Sequence, residues 1–145
     1  MYILNDAISF IISRTYSRMK NIFLKKLKKY GITLEQWVLL AQLSEQEGIS
    51  PTDLSLASLR DKPYTTRLID RLAESGLIFR EESMTDKRSS LIFLTPQGVE
   101  IKKEIIPIAD KINEWLVEDM EEEDVRKLKL LLYKMYENIQ AHSHS

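Results

Sequence analysis

The chain has 145 residues, of which 43% are hydrophobic and 30% are charged, and its formal net charge is −1. These values are typical of a single soluble globular domain and argue mildly against a nucleic-acid partner. Cysteine is absent, which excludes disulfides, thiolate metal sites and cysteine redox sensing.

The N-terminal segment predicts a long amphipathic helix over residues 6–30, ended by Gly31. Its basic residues follow the apolar part, unlike those of a signal peptide, and no apolar run in the chain approaches the roughly 20 residues of a membrane span. A basic amphipathic helix also suits a membrane surface, but burial in a dimer explains its apolar stripe better. We therefore expect a cytoplasmic protein that contacts no membrane.

Two helix starts follow. Thr33 and Gln36 form a capping box, which predicts a second helix that ends near Gly48. Ser50 and Pro51 predict the start of a short third helix, because serine caps helices and proline suits the first helical position.

A fourth helix is predicted from about Lys62 to Glu74, since Pro63 is tolerated only in a first turn and Gly76 suits a C-terminal cap. Its apolar side carries Thr65, Leu68, Ile69 and Leu72. The hydroxyl of Thr65 is expected to bond back to the helix. Its other side exposes Tyr64, Arg67 and Arg71. Two helices joined by a tight turn, with cations on the second, indicate a helix-turn-helix whose second helix enters a DNA groove.

Residues 77–98 predict a β-wing. Two short apolar strands, Leu77–Arg80 and Leu91–Leu94, flank a polar loop that contains Asp86, Lys87 and Arg88. Thr95 and Pro96 after the second strand predict a helix start. A wing with a cationic tip beside a helix-turn-helix can touch nucleic acid in two places.

The C-terminal third predicts two more amphipathic helices. The first runs over residues 96–119, with Pro107 expected to kink or bend it. The second begins at the acidic residues 121–124. His142 and His144 are the chain's two histidines and lie in its tail, where a closed zinc site lacks ligands, so we expect no metal and no cofactor.

The terminal helices contain far more apolar helical surface than a winged helix of about 60 residues needs for its core. An intertwined homodimer would bury their stripes and set two DNA-reading helices side by side. The alternative is a monomer in which the terminal helices form a bundle. We favour the dimer.

Four motifs in order carry a family resemblance: Thr65–Leu72, Glu74–Ile78, Asp86–Arg88 and Leu94–Gly98. Their order is similar to that of the MarR (multiple antibiotic resistance regulator) family of transcription factors. The resemblance implies a mainly α fold with a small β-wing (α+β), a winged helix-turn-helix over residues 33–97, and helical dimerisation regions over residues 1–31 and 98–141 of one domain. It also implies a bacterial origin.

The resemblance implies that Asp86 orients the wing and that Arg88 enters the minor groove, whose negative potential attracts arginine. Arg67 and Arg71 suit a guanine edge or a phosphate, and Lys62 suits a phosphate. Each of these charges has an alternative interpretation as a solvated surface group, and Ser50 as an ordinary cap. The predicted DNA-binding set is Ser50, Thr52, Lys62, Tyr64, Thr66, Arg67, Arg71, Asp86, Lys87 and Arg88.

Relatives of this kind often bind a small aromatic or anionic ligand near the dimer helices. Tyr16, Tyr30 and Trp37 are the candidates for such a site here, although aromatic residues at helical spacing more often belong to a core. The lack of cysteine excludes peroxide sensing, and the lack of histidine before position 142 argues against zinc sensing.

We expect no enzyme, because the body of the chain has no histidine, no cysteine and no Gly-rich phosphate loop. The expected function is a homodimeric regulator that binds double-stranded DNA sequence-specifically and represses by occupying palindromic operators, with possible relief by a small molecule. The alternative is a winged-helix protein-interaction module that does not bind DNA.

Overall fold

A computed structural model describes residues 1–82 and 90–144 of the chain. It divides into two compact units, residues 1–110 and residues 111–145. The described elements are the helices α1 (Ile8–Leu27), α2 (Leu34–Gln42), α3 (Pro51–Ala57) and α4 (Lys62–Glu74), the strands β1 (Ile78–Glu82) and β2 (Ser90–Leu94), and the helices α5 (Pro96–Leu116) and α6 (Glu122–Ala141). This mainly helical fold with a small antiparallel hairpin confirms the predicted fold class.

The predicted first helix is α-helical over α1 alone. Short 3-10 turns precede it at Leu4–Asp6 and follow it at Lys28–Tyr30. Gly31 ends the segment with a φ of 67°, in the left-handed region that glycine adopts without strain. The predicted stop at Gly31 is therefore confirmed.

The start of α2 is as predicted, but its end is not. The amide of Gln36 donates to the hydroxyl of Thr33 at 3.2 Å, and the amide of Thr33 donates to the side chain of Gln36 at 2.9 Å. The helix ends at Gln42 rather than near Gly48. The chain leaves the helix early because the residues that follow pair with the hairpin, where Ile49 forms a β-bridge with Ile92.

The α3 and α4 starts are confirmed. The Ser50 hydroxyl accepts from the amide of Asp53 at 3.0 Å, and the Asp61 carboxylate accepts from the amide of Tyr64 at 2.8 Å. The turn between the two helices includes Leu59, a non-glycine residue with a φ of 57°. This turn gives the pair of helices its helix-turn-helix form.

The core of the first unit lies beneath α4 and the hairpin. Thr65 is completely buried and its hydroxyl donates to the carbonyl of Asp61 at 2.9 Å, which confirms the predicted back-bond and satisfies its polar atom. The other fully buried side chains are aliphatic: Leu27, Leu39, Leu40, Leu43, Leu54, Ile69, Leu72, Ile92, Leu94 and Ile105.

The hairpin pairs Ile78 with Leu94 at its base and Glu82 with Ser90 at its far end. Thr95 fastens the base. Its hydroxyl donates to the carbonyl of Gly76 at 2.7 Å and accepts from the amide of Gly98 at 3.0 Å. One hydroxyl thus ties the end of α4 to the start of α5.

The end of α5 and all of α6 form the second unit. α5 continues as a helix past Pro107 and ends at Leu116, three residues before the predicted boundary. The first turn of α6 contains Glu122, Glu123 and Asp124, as predicted from the favourable interaction of acids with a helix N-terminus. Within residues 1–82 and 90–144, no helix is both long enough and apolar enough to span a membrane.

Candidate nucleic-acid interface

Helix α4 has two opposite faces. Thr65, Leu68, Ile69 and Leu72 are buried, as the sequence predicts. The other face exposes the cationic and hydroxyl side chains of Lys62, Thr66, Arg67 and Arg71. The Thr66 hydroxyl donates to the carbonyl of Lys62 at 2.9 Å, so its oxygen remains available as an acceptor. The exposed face therefore presents three cationic donors, which suit phosphates and base edges, and one hydroxyl acceptor.

Tyr64 lies half-buried in the first turn of α4 and holds two guanidinium groups against its ring. The central guanidinium carbon of Arg67 is 5.9 Å from the ring centroid, and that of Arg60 is 5.7 Å from it. Both distances are within cation–π range. Arg60 is absent from the set of residues predicted from the sequence. Its position four residues before Tyr64 could have indicated it, because side chains at that spacing can come into contact.

The cation on β1 is already paired. Arg80 forms an ion pair with Asp70 of α4. This pair joins the hairpin to α4 and neutralises one of the positive charges between residues 60 and 82. The three wing-tip candidates Asp86, Lys87 and Arg88 lie outside the described residues.

The start of α3 contributes two further hydroxyl candidates, Ser50 and Thr52. Ser50 acts as the helix cap, which agrees with its alternative interpretation. Thr52 is exposed, and its carbonyl accepts from the Ser55 hydroxyl at 2.8 Å. Thr52 is therefore an exposed hydroxyl at this helix start, and the Ser50 hydroxyl, which accepts from the amide of Asp53, keeps its proton to donate to a phosphate.

An ion pair connects α1 to α2 close to this surface. Lys20 Nζ lies 2.8 Å from Glu35 Oε1, and the Glu35 side chain is 13% exposed. Burial alone would raise the pKa of Glu35, but the hydrogen bond from Lys20, its own backbone amide and the charges of Lys20 and Arg60 outweigh burial and lower it. The hydrogen bond to Glu35 raises the pKa of Lys20 in turn. The pair therefore stays ionised at neutral pH.

The three ligand candidates do not form a cluster of stacked rings within residues 1–82 and 90–144. Tyr16 is exposed on α1, Tyr30 is half-buried with Lys29 Nζ 5.1 Å from its ring centroid, and Trp37 belongs to the core. An open groove of about 470 Å³ lies elsewhere, between the 43–47 turn and α5, and its walls include Leu43, Leu94, Val99, Lys102 and Ile106. It contains none of the three predicted aromatic residues.

Comparison with known proteins agrees with this architecture. Residues 32–90 match the model of the MarR family. The chain is 28% identical to the S. aureus MepR protein in its DNA complex, with a TM-score of 0.86. The alignment covers 91% of this chain and 98% of the MepR chain. It is 26% identical to Bordetella bronchiseptica BpsR, in a structure that concerns regulation of DNA binding by 6-hydroxynicotinic acid, with a TM-score of 0.85 and coverage of 94% and 97%.

A third solved structure, a MarR transcriptional regulator from Methanosarcina mazei, is 30% identical with a TM-score of 0.79. The alignment covers 92% of this chain and 96% of that one. MarR family members are transcriptional regulators and not enzymes, in agreement with the expectation from the sequence. The helix order, the hairpin and the cationic face of α4 agree with this match, and the chain belongs to the MarR family of winged-helix DNA-binding transcriptional regulators.

Proposed function

We propose that the protein is a homodimeric repressor that binds a palindromic operator and thereby blocks a promoter. The observation that carries this proposal is the two-sided character of α4. One face is buried, including the polar residue Thr65, and the opposite face presents Arg67 and Arg71 to solvent. A helix built in this way can lie in a major groove without exposing its apolar side.

In the proposed complex, each subunit inserts the exposed face of α4 into a major groove. Arg67 and Arg71 lie one helical turn apart, so that one can contact a guanine edge while the other contacts a phosphate. Thr52 at the start of α3 donates to the backbone. The wing residue Arg88 enters the adjacent minor groove.

The exposed apolar residues of the terminal helices support the dimer. α6 buries none of its described side chains, and seven of its large hydrophobic side chains are exposed. α1 likewise exposes much of its apolar stripe. The exposed residues are Ile8, Ile11, Ile12, Tyr16 and Leu24 on α1, and Leu128, Leu130, Leu131, Leu132, Tyr133, Tyr136 and Ile139 on α6. Exposed apolar side chains in such numbers mark protein interfaces.

We further propose that a small aromatic or anionic molecule relieves repression. The support is the BpsR relative, whose DNA binding is regulated by 6-hydroxynicotinic acid. Tyr16 is the best placed of the three aromatic candidates because it is exposed, whereas Trp37 is buried. The protein acts on cytoplasmic DNA in this proposal.

Selection of bound fragments from random or genomic DNA at physiological salt tests the proposal most directly. The recovered sites should share a palindrome with half-sites about 10 base pairs apart, or a multiple of that spacing. Affinity should fall steeply as salt rises, because phosphate neutralisation releases counterions. Failure to retain any duplex would instead favour the protein-interaction module.

Two substitutions then assign the roles. Arg67→Ala should weaken binding and relax base preference at one position of each half-site, whereas Arg88→Ala should weaken binding to all sequences. Arg126→Ala is the control, because that exposed arginine on α6 pairs with Glu123. If both test variants bind the selected site as the parent does, the roles are wrong.

The dimer is tested separately by sedimentation. Leu132→Glu should shift the protein from dimer to monomer, because it places a charge in the proposed apolar interface. Lys127→Glu also adds negative charge to the polar part of α6 and should leave the dimer intact. A parent protein that sediments as a monomer at micromolar concentration would contradict the proposal.

A further inference from the structure

Arg60 is held in place by the turn that carries it. Its backbone amide donates to the carbonyl of Ser55 at 3.1 Å, across the end of α3. Leu59 just before it adopts a left-handed conformation with a φ of 57°. The turn therefore gives the backbone of Arg60 a fixed position immediately before the cap of α4, while its side chain remains exposed.

The ring of Tyr64 restricts the Arg60 side chain further. The guanidinium of Arg60 lies 5.7 Å from the ring centroid, and the guanidinium of Arg67 lies 5.9 Å from the same centroid. The ring is itself half-buried in the first turn of α4. A long side chain that is already restrained loses less conformational entropy when it binds a ligand.

Neither guanidinium is neutralised by a carboxylate within ion-pair distance among residues 1–82 and 90–144. Arg80 and Arg126 differ, because each pairs with an acid. The charge of Arg60 helps to lower the pKa of Glu35, but the Glu35 carboxylate already pairs with Lys20 at 2.8 Å. Two like charges that share one aromatic ring form a site that favours an anion.

We propose that Arg60 binds a DNA phosphate at the N-terminal end of α4, and that Tyr64 is the positioning residue that holds its guanidinium beside that of Arg67. Guanidinium groups bind phosphates through paired N–H donors, which fits a contact that fixes register and does not read sequence. This inference rests on the proposed DNA-binding function and adds to it a contact from the turn before the recognition helix.

The first test measures the salt dependence of binding for Arg60→Gln. With the duplex recovered by selection, the slope of log K against log salt should fall by about 2, since a two-fold complex loses one phosphate contact from each subunit. The ratio of the parent's association constant to that of the variant should consequently fall about tenfold between about 50 and 200 mM KCl. Weakening should be equal for matched and mismatched duplexes.

Arg14→Gln is the matched control for that test. Arg14 is an exposed arginine whose guanidinium lies 5.7 Å from the ring centroid of Phe10, the distance found for Arg60 and Tyr64. It lies on α1 rather than beside α4, and its loss should leave the salt slope unchanged. An Arg60→Gln slope equal to that of the parent overturns the proposal.

The role of Tyr64 is tested by a double-mutant cycle. Tyr64→Phe keeps the ring, and Tyr64→Leu, which removes it, should weaken binding more than Tyr64→Phe does. Arg60→Gln should then cost less in the Tyr64→Leu background than alone. Equal costs in both backgrounds would refute the positioning role. Thermal melting of each variant confirms that it is folded.

The two proposals fail in different ways. If the parent protein shows no salt-dependent binding to any duplex, the proposed function itself is wrong. If the parent binds its selected duplex and Arg60→Gln retains both affinity and slope, the proposed function stands and the Arg60 contact alone is rejected.

Discussion

Gly98 lies so close to the carbonyl of Leu77 that a β-carbon at Gly98 would be 2.0 Å from that oxygen. This contact packs the first turn of α5 directly against the residue that follows α4 and Gly76. The Leu77 carbonyl also accepts from the amide of Thr95 at 3.0 Å, so it cannot move without breaking that bond. The start of α5 and the base of the wing are therefore fixed to each other through backbone atoms.

Gly98→Ala tests this contact, because two effects of opposite sign compete. Helix propensity alone would make alanine more stable by up to about 1 kcal/mol. The clash with the Leu77 carbonyl should outweigh it and destabilise the protein by about 2–4 kcal/mol, measured by urea unfolding. Gln97→Ala, at the exposed neighbouring position, should change stability little. A stabilised Gly98→Ala would show that the close packing is absent.

Thr95→Val should destabilise the protein by about 1–3 kcal/mol in the same assay, because it removes a helix cap and leaves polar backbone groups without partners. The two bonds lost are those to the carbonyl of Gly76 and from the amide of Gly98. Thr95→Ser keeps the hydroxyl and should retain most of the stability. A Thr95→Val variant as stable as the parent would contradict this role of the hydroxyl.

The Lys20–Glu35 pair predicts a pH dependence. The pKa of Glu35 is lowered below its ordinary value of 4.5, so the stability it contributes is present above pH 4.5 and is lost as pH falls through the lower folded value. Glu35→Gln should cost about 0.5 kcal/mol at pH 7, a small amount because Lys20 is half-exposed and screened. Unfolding curves from pH 7 to pH 3 should show this difference shrinking. A difference that stays constant with pH would exclude an ionic origin.

Leu59→Asn should stabilise the protein. Leu59 is 66% exposed and has a φ of 57°, which is strained for leucine and better tolerated by asparagine. The expected gain is about 0.5–1 kcal/mol in thermal unfolding. Leu56→Asn is the control, because Leu56 is equally exposed within α3 but has no positive φ. Its replacement should give no gain, and a similar gain at both positions would contradict the strain argument.

Features set by neighbouring residues were predictable from the sequence. The capping box of Thr33 and Gln36, the cap at Ser50, the first-turn Pro63 and the buried face of α4 depend on spacings of a few residues, and the structure has them as expected. The back-bond of Thr65 belongs to the same group, because a buried hydroxyl within a helix has few other partners.

Features set by distant contacts were not predictable. α2 ends early because Ile49 pairs with Ile92, and a β-carbon at Gly48 would lie 2.6 Å from the Phe93 ring. Gly48 therefore marks a close approach to the wing and not a helix stop. The pairing of Arg80 with Asp70 and of Lys20 with Glu35 likewise depends on tertiary packing that no local pattern encodes.

Among the described residues, the hairpin is tied to the rest of the first unit at its base. Its base is held by Thr95 and by the bridge of Ile49 with Ile92, whereas the last described pair of its ladder is Glu82 with Ser90. Insertions or deletions between these two residues would consequently leave the anchored end and its direction unchanged. Natural variation or protein engineering can thus lengthen or shorten the wing to suit a different groove while the rest of the domain keeps its sequence.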